Sequence, residues 1–291
     1  MSKFVFSRDI LCASKLISCQ LKGLSSTLWT IILLMVFVSC SKDNEESKPN
    51  TLKLDPDEQT SLLDSLTIET FTFSSNGEDI KGKIYLPDTY ETNNNLPAIF
   101  LIDFQEQHFT IATDEFEQVI RGVLQIENFE ALVVTLNDIP NIDAQPETFE
   151  DHRDVFEKMT IYVNSNYTNN TSRTFIGKGS EGGVVLLTLL NEDPEANIFE
   201  NYIVTDSPTS FNNVAIDLNQ NNSVQKNMLN KKLHFSFSTS NDQAICQALI
   251  NSFEEAQYPW LEFQSERYLN SDYENTYPTS FGDGLEFVYK Q

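Results

Sequence analysis

The sequence predicts an α/β fold with a mostly parallel central sheet, helices on both faces and antiparallel N-terminal strands. Three observations carry this. Short, largely apolar runs at 98–102 and 131–136 read as strands covered on both faces. Segments of helical spacing lie between such runs, so strand and helix alternate along the chain. Ahead of them, an alternating run at 67–73 and a second strand at 79–87 flank Asn76-Gly77, a hairpin turn signal.

The elements follow in order. A helix is expected over 116–126, with Phe116, Val119, Ile120, Val123 and Leu124 on one side. The buried strand at 131–136 precedes a helix over 149–167, whose apolar positions are Phe156, Met159, Ile161 and Val163. Residues 173–177 read as a strand and 182–191 as a helix. Strands follow at 201–205 and 233–237, then a helix over 243–253, a strand at 260–263 and a last helix including 284–289. The stretch 212–230 is Asn-rich and weakly patterned, and reads as a lid or excursion. No internal repeat is visible.

Composition narrows the function classes. The 291 residues carry 19 Lys and Arg against 43 Asp and Glu, a net charge of −24. Phosphate binding needs clustered basic residues, and none are clustered here, so nucleic acid is not an expected partner. A hydrophobic fraction of 40% excludes a disordered chain. Cys12, Cys19 and Cys40 lie near the N-terminus and only Cys246 lies in the body, which leaves no disulfide framework there. No Cys/His cluster has zinc spacing, and no metal or organic cofactor is implied.

Residues 1–39 read as an export signal. Lys3, Arg8, Lys15 and Lys22 oppose only Asp9, an apolar run follows, and Ser39 precedes Cys40. The apolar run is short for a membrane span of about 20 residues. The small residue before cysteine resembles the lipobox of bacterial lipoproteins, with Phe37 departing from the usual Leu. The acidic run after Cys40 resembles the surface-export tag of Bacteroidota lipoproteins. This implies lipidation at Cys40 and a place in the cell envelope, at the outer membrane. An uncleaved membrane anchor is the other reading. Four of the basic residues and one acidic residue precede Cys40, so the remainder carries −27. Residues 40–60 are polar and acidic, contain Pro49 and Pro56, and read as a flexible tether. Residues 61–291 form the folded domain.

The segment most informative about chemistry is Thr174-Phe-Ile-Gly-Lys-Gly-Ser-Glu-Gly-Gly183, between a strand and a helix. A nucleophile elbow is G-x-S-x-G at such a junction, where a sharp turn lifts the serine above the sheet. Ser180, Gly182 and Gly183 fit that pattern, and Lys178 stands where the first glycine belongs. The same residues also suit a glycine-rich turn with no chemistry, or one that holds an anion at a helix N-terminus.

The surrounding motifs carry a resemblance. Ile84-Tyr-Leu-Pro-Asp-Thr-Tyr90, Leu96-Pro-Ala-Ile-Phe-Leu-Ile-Asp103, Tyr162 to Tyr167, Arg173 to Gly183 and Asp206-Ser-Pro208 occur in an order similar to that of the esterase D-like family. That family of α/β-hydrolases includes siderophore esterases and feruloyl or acetylxylan esterases. The resemblance covers most of the chain from Ile84 to Lys290. It implies an α/β-hydrolase fold, with Ser180 at the nucleophile position and Asp242 at the acid position. The N–H groups of Glu181 and Phe104 fall on the oxyanion donors, although the family has glycine at the latter place. It implies a histidine after the strand at 260–263, where this chain has Tyr273.

The whole chain contains only His108, His152 and His234. His234 lies inside an expected strand, His152 in a helix start and His108 in a loop. A serine hydroxyl is a weak nucleophile without a base, and a phenol of ordinary pKa near 10 does not serve at neutral pH. Lys178 and Glu181 are the alternative bases, but neighbours in sequence at an elbow usually point elsewhere. This reading favours an esterase-like lipoprotein with weakened or lost catalysis. The alternatives are an active serine carboxylic-ester hydrolase on acylated glycans, siderophores or small esters, and a non-catalytic structural component of an envelope complex. The partners expected are a small ester or glycan-like ligand and a membrane through the lipid anchor.

Overall fold

The computed structural model describes residues 66–75, 77–102, 115–136, 144–193, 195–221, 224 and 230–290. The expected signal at 1–39, Cys40, the tether 40–60, Phe104 and His108 lie outside the described residues. Eight strands form one sheet: β1 (Thr67–Ser75), β2 (Glu78–Leu86), β3 (Ala98–Ile102), β4 (Leu132–Leu136), β5 (Arg173–Lys178), β6 (Asn201–Thr205), β7 (Lys231–Ser238) and β8 (Leu261–Tyr268). Their spatial order is β1-β2-β4-β3-β5-β6-β7-β8. β1 pairs antiparallel with β2, and β2 antiparallel with β4; every other pairing is parallel.

Burial follows position in the sheet. β3, β4 and β6 are buried at every residue, because helices cover both faces. β1 buries Phe71, Phe73 and Ser75 and exposes the residues between them, as a strand with one dry face must. Phe71 lies opposite Gly82, where a Cβ would fall 2.4 Å from its ring; glycine there makes room for the aromatic.

Among the described residues, six helices flank the sheet: α1 (Glu115–Gln125), α2 (Phe149–Asn166), α3 (Gly179–Leu190), α4 (Thr209–Gln220), α5 (Gln243–Ala256) and α6 (Tyr273–Tyr289). Alternate residues of each buried strand serve opposite layers. Phe100, Phe175, Tyr202 and Val204 join the apolar cluster of α2, α3, α4 and α5. Ile99, Leu101, Ile176 and Ile203 join the cluster of α1 and α6.

Two expectations are corrected and one, the last helix, is extended. The helix after β5 starts at Gly179, not 182. The last helix starts at Tyr273, well before 284; polar residues and Pro278 fill its first turns and mask the apolar period. Much of the supposed excursion at 212–230 is α4. Two of its three asparagines are core residues: Asn212 Nδ2 donates to the Ser207 carbonyl at 2.8 Å, and Asn219 Nδ2 to Ser252 Oγ at 2.9 Å. Buried amides satisfied this way are compatible with a helix but invisible to an apolar pattern.

One buried ion pair ties the chain after α3 to β7. Lys231 Nζ lies 2.6 Å from Glu192, and both side chains are fully buried. Tyr202 donates to the same carboxylate at 2.9 Å, and Lys231 also donates to Asn197 at 2.7 Å. These added partners satisfy charges that would be costly alone in the interior. Near the opposite strand ends, the hydroxyls of Thr205, Ser236 and Ser280 hydrogen-bond one another and pin α6 to β6 and β7.

Candidate active site

The carboxyl ends of β5, β6 and β7 meet the N-termini of α3 and α6, the place where open parallel sheets gather functional groups. Lys178 ends β5 in an extended conformation, with φ −122° and ψ 148°. Gly179 then turns the chain at φ +60°, and α3 begins. Gly177 and Gly182 allow the tight passage from strand to helix. A Cβ on Gly177 would sit 2.7 Å from the Glu181 carbonyl carbon, and one on Gly182 would sit 2.9 Å from the Gly177 oxygen.

This places the expected residues as follows. Ser180 lies one residue beyond the left-handed turn, half-buried in the first turn of α3, and its hydroxyl bonds no described residue. The residue at the turn is Gly179. Tyr273, the first residue of α6, brings its hydroxyl oxygen 2.2 Å from where a Gly179 Cβ would stand. Tyr273 therefore lies against the elbow, and the residue it covers is a glycine. The N–H that follows the strained residue belongs to Ser180, so Glu181 sits one place further into the helix.

Asp242 is not brought to the site as an acid. It is exposed, and its Oδ1 accepts from the N–H groups of Ala244 and Ile245 at 3.1 Å, capping α5. The buried carboxylate at the strand ends is Asp206, directly after β6, 3% exposed and at φ +51°. Its Oδ1 accepts from Ser238 N at 2.7 Å, Ser238 Oγ at 3.0 Å and Asn241 Nδ2 at 3.3 Å. Its Oδ2 is buried without a hydrogen-bond partner. Burial raises its pKa; the bonds from Ser238 and Asn241 and the Lys178 charge oppose that rise. Asp206 was not among the expected site residues, although an acid directly after a buried parallel strand lies at the functional end of such a sheet.

Lys178 is structural. Its Nζ lies 4.2 Å and 4.3 Å from the ring centres of Tyr273 and Tyr277, with Glu115 at 3.4 Å and Glu274 at 3.7 Å. A cation held between two rings and two carboxylates fixes the Tyr273 ring over the elbow. The phenol cannot serve as a base: burial, then the charges of Glu181, Glu115, Glu274 and Asp206, raise its pKa well above the ordinary value. His234 is buried in β7, with Nδ1 3.3 Å from Gln264 Oε1, and its lowered pKa reflects that burial. His152 is buried in α2. Neither lines the elbow cavity. That cavity measures about 260 Å³ and is walled by Gly179, Ser180, Asp206, Ser240, Asn241 and Tyr273, among others.

Comparison with known proteins separates fold from chemistry. No family model and no curated protein matches the sequence. Among solved structures, an IroE-like serine hydrolase from Shewanella oneidensis superposes with a TM-score of 0.66. It shares 15% identity, over 77% of this chain and 80% of that one. The siderophore hydrolase EstA from Aspergillus nidulans gives 0.59 at 11% identity, covering 76% and 93%. A feruloyl esterase module from Clostridium thermocellum gives 0.52 at 15% identity, covering 76% and 87%. The chain has an α/β-hydrolase fold.

In an α/β-hydrolase the nucleophile occupies the strained turn between strand and helix. Read from the backbone, the elbow of this chain is Gly177-Lys178-Gly179-Ser180-Glu181. In that frame the first glycine is present as Gly177, and Lys178 stands at an unrestricted position. The strained turn carries Gly179, and the residue two places later is Glu181 rather than glycine. The sequence admits this frame as readily as the one centred on Ser180; the positive φ lies at Gly179.

Proposed function

We propose that this protein keeps the esterase-like α/β-hydrolase architecture as a binding cleft and has lost, or nearly lost, covalent ester chemistry. The observation that carries the reading is Gly179 at the strained turn, with the Tyr273 hydroxyl where a side chain would otherwise project. No hydroxyl stands at the nucleophile position. The neighbouring phenol has a raised pKa and cannot take a proton from Ser180 at neutral pH. Removal of one triad member already costs several powers of ten in turnover, and here two positions depart together. The expected ligand is a small ester or glycan-like molecule. The sequence pattern at Cys40 supports a lipid-anchored protein of the cell envelope, at the outer membrane.

The test compares full-length protein with Ser180→Ala on a short-chain aryl ester, alongside labelling by a fluorophosphonate probe. Hydrolysis at the buffer rate in both proteins, with no labelling, is the expected result. Robust turnover abolished by Ser180→Ala, or a probe adduct on Ser180, overturns the reading in favour of an active serine ester hydrolase.

A further inference from the structure

A second recess lies at the amino ends of β3 and β5, at the other end of the parallel strands from Gly179. The loops entering those strands meet the last turn of α2 there. A cavity of about 330 Å³ is lined by Tyr90, Glu91, Asn94, Tyr167 and Asn169, among others. A second cavity, of about 550 Å³, follows α2 beside β1 and is lined by Phe73, Ile161 and Tyr162, among others. Ser165 and Asn166 line both, so the two make one groove, each part of a size usual for ligand sites. Tyr90, Tyr162 and Tyr167 are half-buried. The ring centres of Tyr90 and Tyr162 stand 6.3 and 6.4 Å from that of Tyr167, and Ile161 beside them is 60% exposed. The frame is held by bonds between the two loops. Asn169 N donates to the Asn94 carbonyl at 2.8 Å, and Thr168 Oγ1 to the Leu96 carbonyl at 2.6 Å.

We propose that this groove binds a neutral oligosaccharide, as a site separate from the elbow cavity and independent of its chemistry. A sugar ring has an apolar C–H face and a rim of hydroxyls. The face suits the tyrosine rings and Ile161. The rim suits the polar groups that the frame leaves over. The side-chain amides of Asn94 and Asn169 bond no described residue, and each offers both donors and an acceptor. Asn166 commits Nδ2 to the Tyr162 carbonyl at 2.7 Å, which leaves Oδ1 to accept. Ser165 commits its hydrogen to the Ile161 carbonyl at 2.8 Å, which leaves the Oγ lone pairs. All four of these side chains are exposed, so a ligand in the groove can reach them. Among the described residues, only Glu91 and Lys158 bring charge to the lining, one of each sign, and Lys158 donates to Ser75 Oγ at 3.1 Å. An ionic ligand therefore finds no charge cluster to match it. A proline-rich peptide would also suit tyrosine rings, but proline has no N–H for the acceptor-only groups of Asn166 and Ser165.

Calorimetric titration of full-length protein at pH 7 tests this with cellopentaose, xylopentaose and maltopentaose, each beside its monosaccharide. At least one pentasaccharide should bind at least tenfold more tightly than its monosaccharide, because it spans both parts of the groove. Asn166→Arg, an exposed change on the shared wall, should raise that Kd tenfold or more. Asn169→Ala, which removes an amide that bonds no described residue, should raise it threefold or more at an unchanged melting temperature. Ser240→Leu, on the wall of the elbow cavity, should leave it as it was. Retained binding in both groove variants, loss of binding in Ser240→Leu, or no pentasaccharide bound more tightly than its monosaccharide overturns the inference. Binding of decaproline in place of the saccharides, lost in Asn166→Arg, overturns it in favour of a peptide site. Binding is read without turnover, so these outcomes are distinct from the aryl-ester result that judges the loss of catalysis.

Discussion

At Gly179 two costs meet that glycine alone avoids. Its φ of +60° penalises any L side chain by about 1–2 kcal/mol, and an added Cβ would lie 2.2 Å from the Tyr273 hydroxyl oxygen. Gly179→Ala should therefore destabilise by at least about 2 kcal/mol. In a Tyr273→Phe background the nearest ring atoms stand 3.1 and 3.2 Å away, so the steric part shrinks and the backbone part stays. Urea denaturation of the four proteins should give a coupling of about 1 kcal/mol. Strict additivity would mean that the phenol hydroxyl does not fill this space. The residue types at the elbow were plain in the sequence, but their roles were not. Three glycines within six residues allow two registers, and a one-residue shift decides whether the turn carries a hydroxyl or a hydrogen. Asp206 was missed because the family resemblance puts the acid after the strand at 233–237, which pointed to Asp242.

Asp242 shows how an element can claim a residue before a site does. Its carboxylate satisfies two N–H groups that open α5, a role that sequence assigns as readily as a catalytic one. Asp242→Ala should lower stability by about 1 kcal/mol through the lost cap, with no change in residual aryl-ester hydrolysis. A thermal melt run beside the ester assay checks both halves; a selective loss of hydrolysis at unchanged stability would restore Asp242 as a catalytic acid. The strands were legible because a buried parallel strand has to be apolar along its length. α4 and the start of α6 were not. Their inward residues include Asn212, Asn219, Thr276 and Ser280, buried polar groups whose partners lie outside their own helices.

At the scale of the whole molecule, acid stability depends on histidines that serve packing rather than chemistry. Burial lowers the His152 pKa to about 4 from 6.5, with a smaller opposing effect from Asp151. The unfolded chain therefore takes up a proton near pH 6.5 that the folded chain takes up only near pH 4. Stability is full above pH 6.5 and declines as pH falls toward 4, by up to roughly 3 kcal/mol from this residue. His234, also lowered by burial, adds to the decline in the same direction. Denaturant titrations across that range should show the slope, and His152→Leu should flatten it; an unchanged slope would place the acid sensitivity elsewhere.

The sequence by itself determined the sheet, the alternation of strand and helix, the strand-to-helix elbow, and the want of a histidine after β8. Those features are local or compositional: hydrophobic period, turn residues and a simple count. Only the tertiary structure decided which residue occupies the strained turn, that Tyr273 covers it, and that Asp206 rather than Asp242 lines the cavity. Those facts depend on one backbone dihedral and on contacts between residues tens of positions apart. Side-chain chemistry constrains such contacts, but their geometry exists only once the sheet has closed around them.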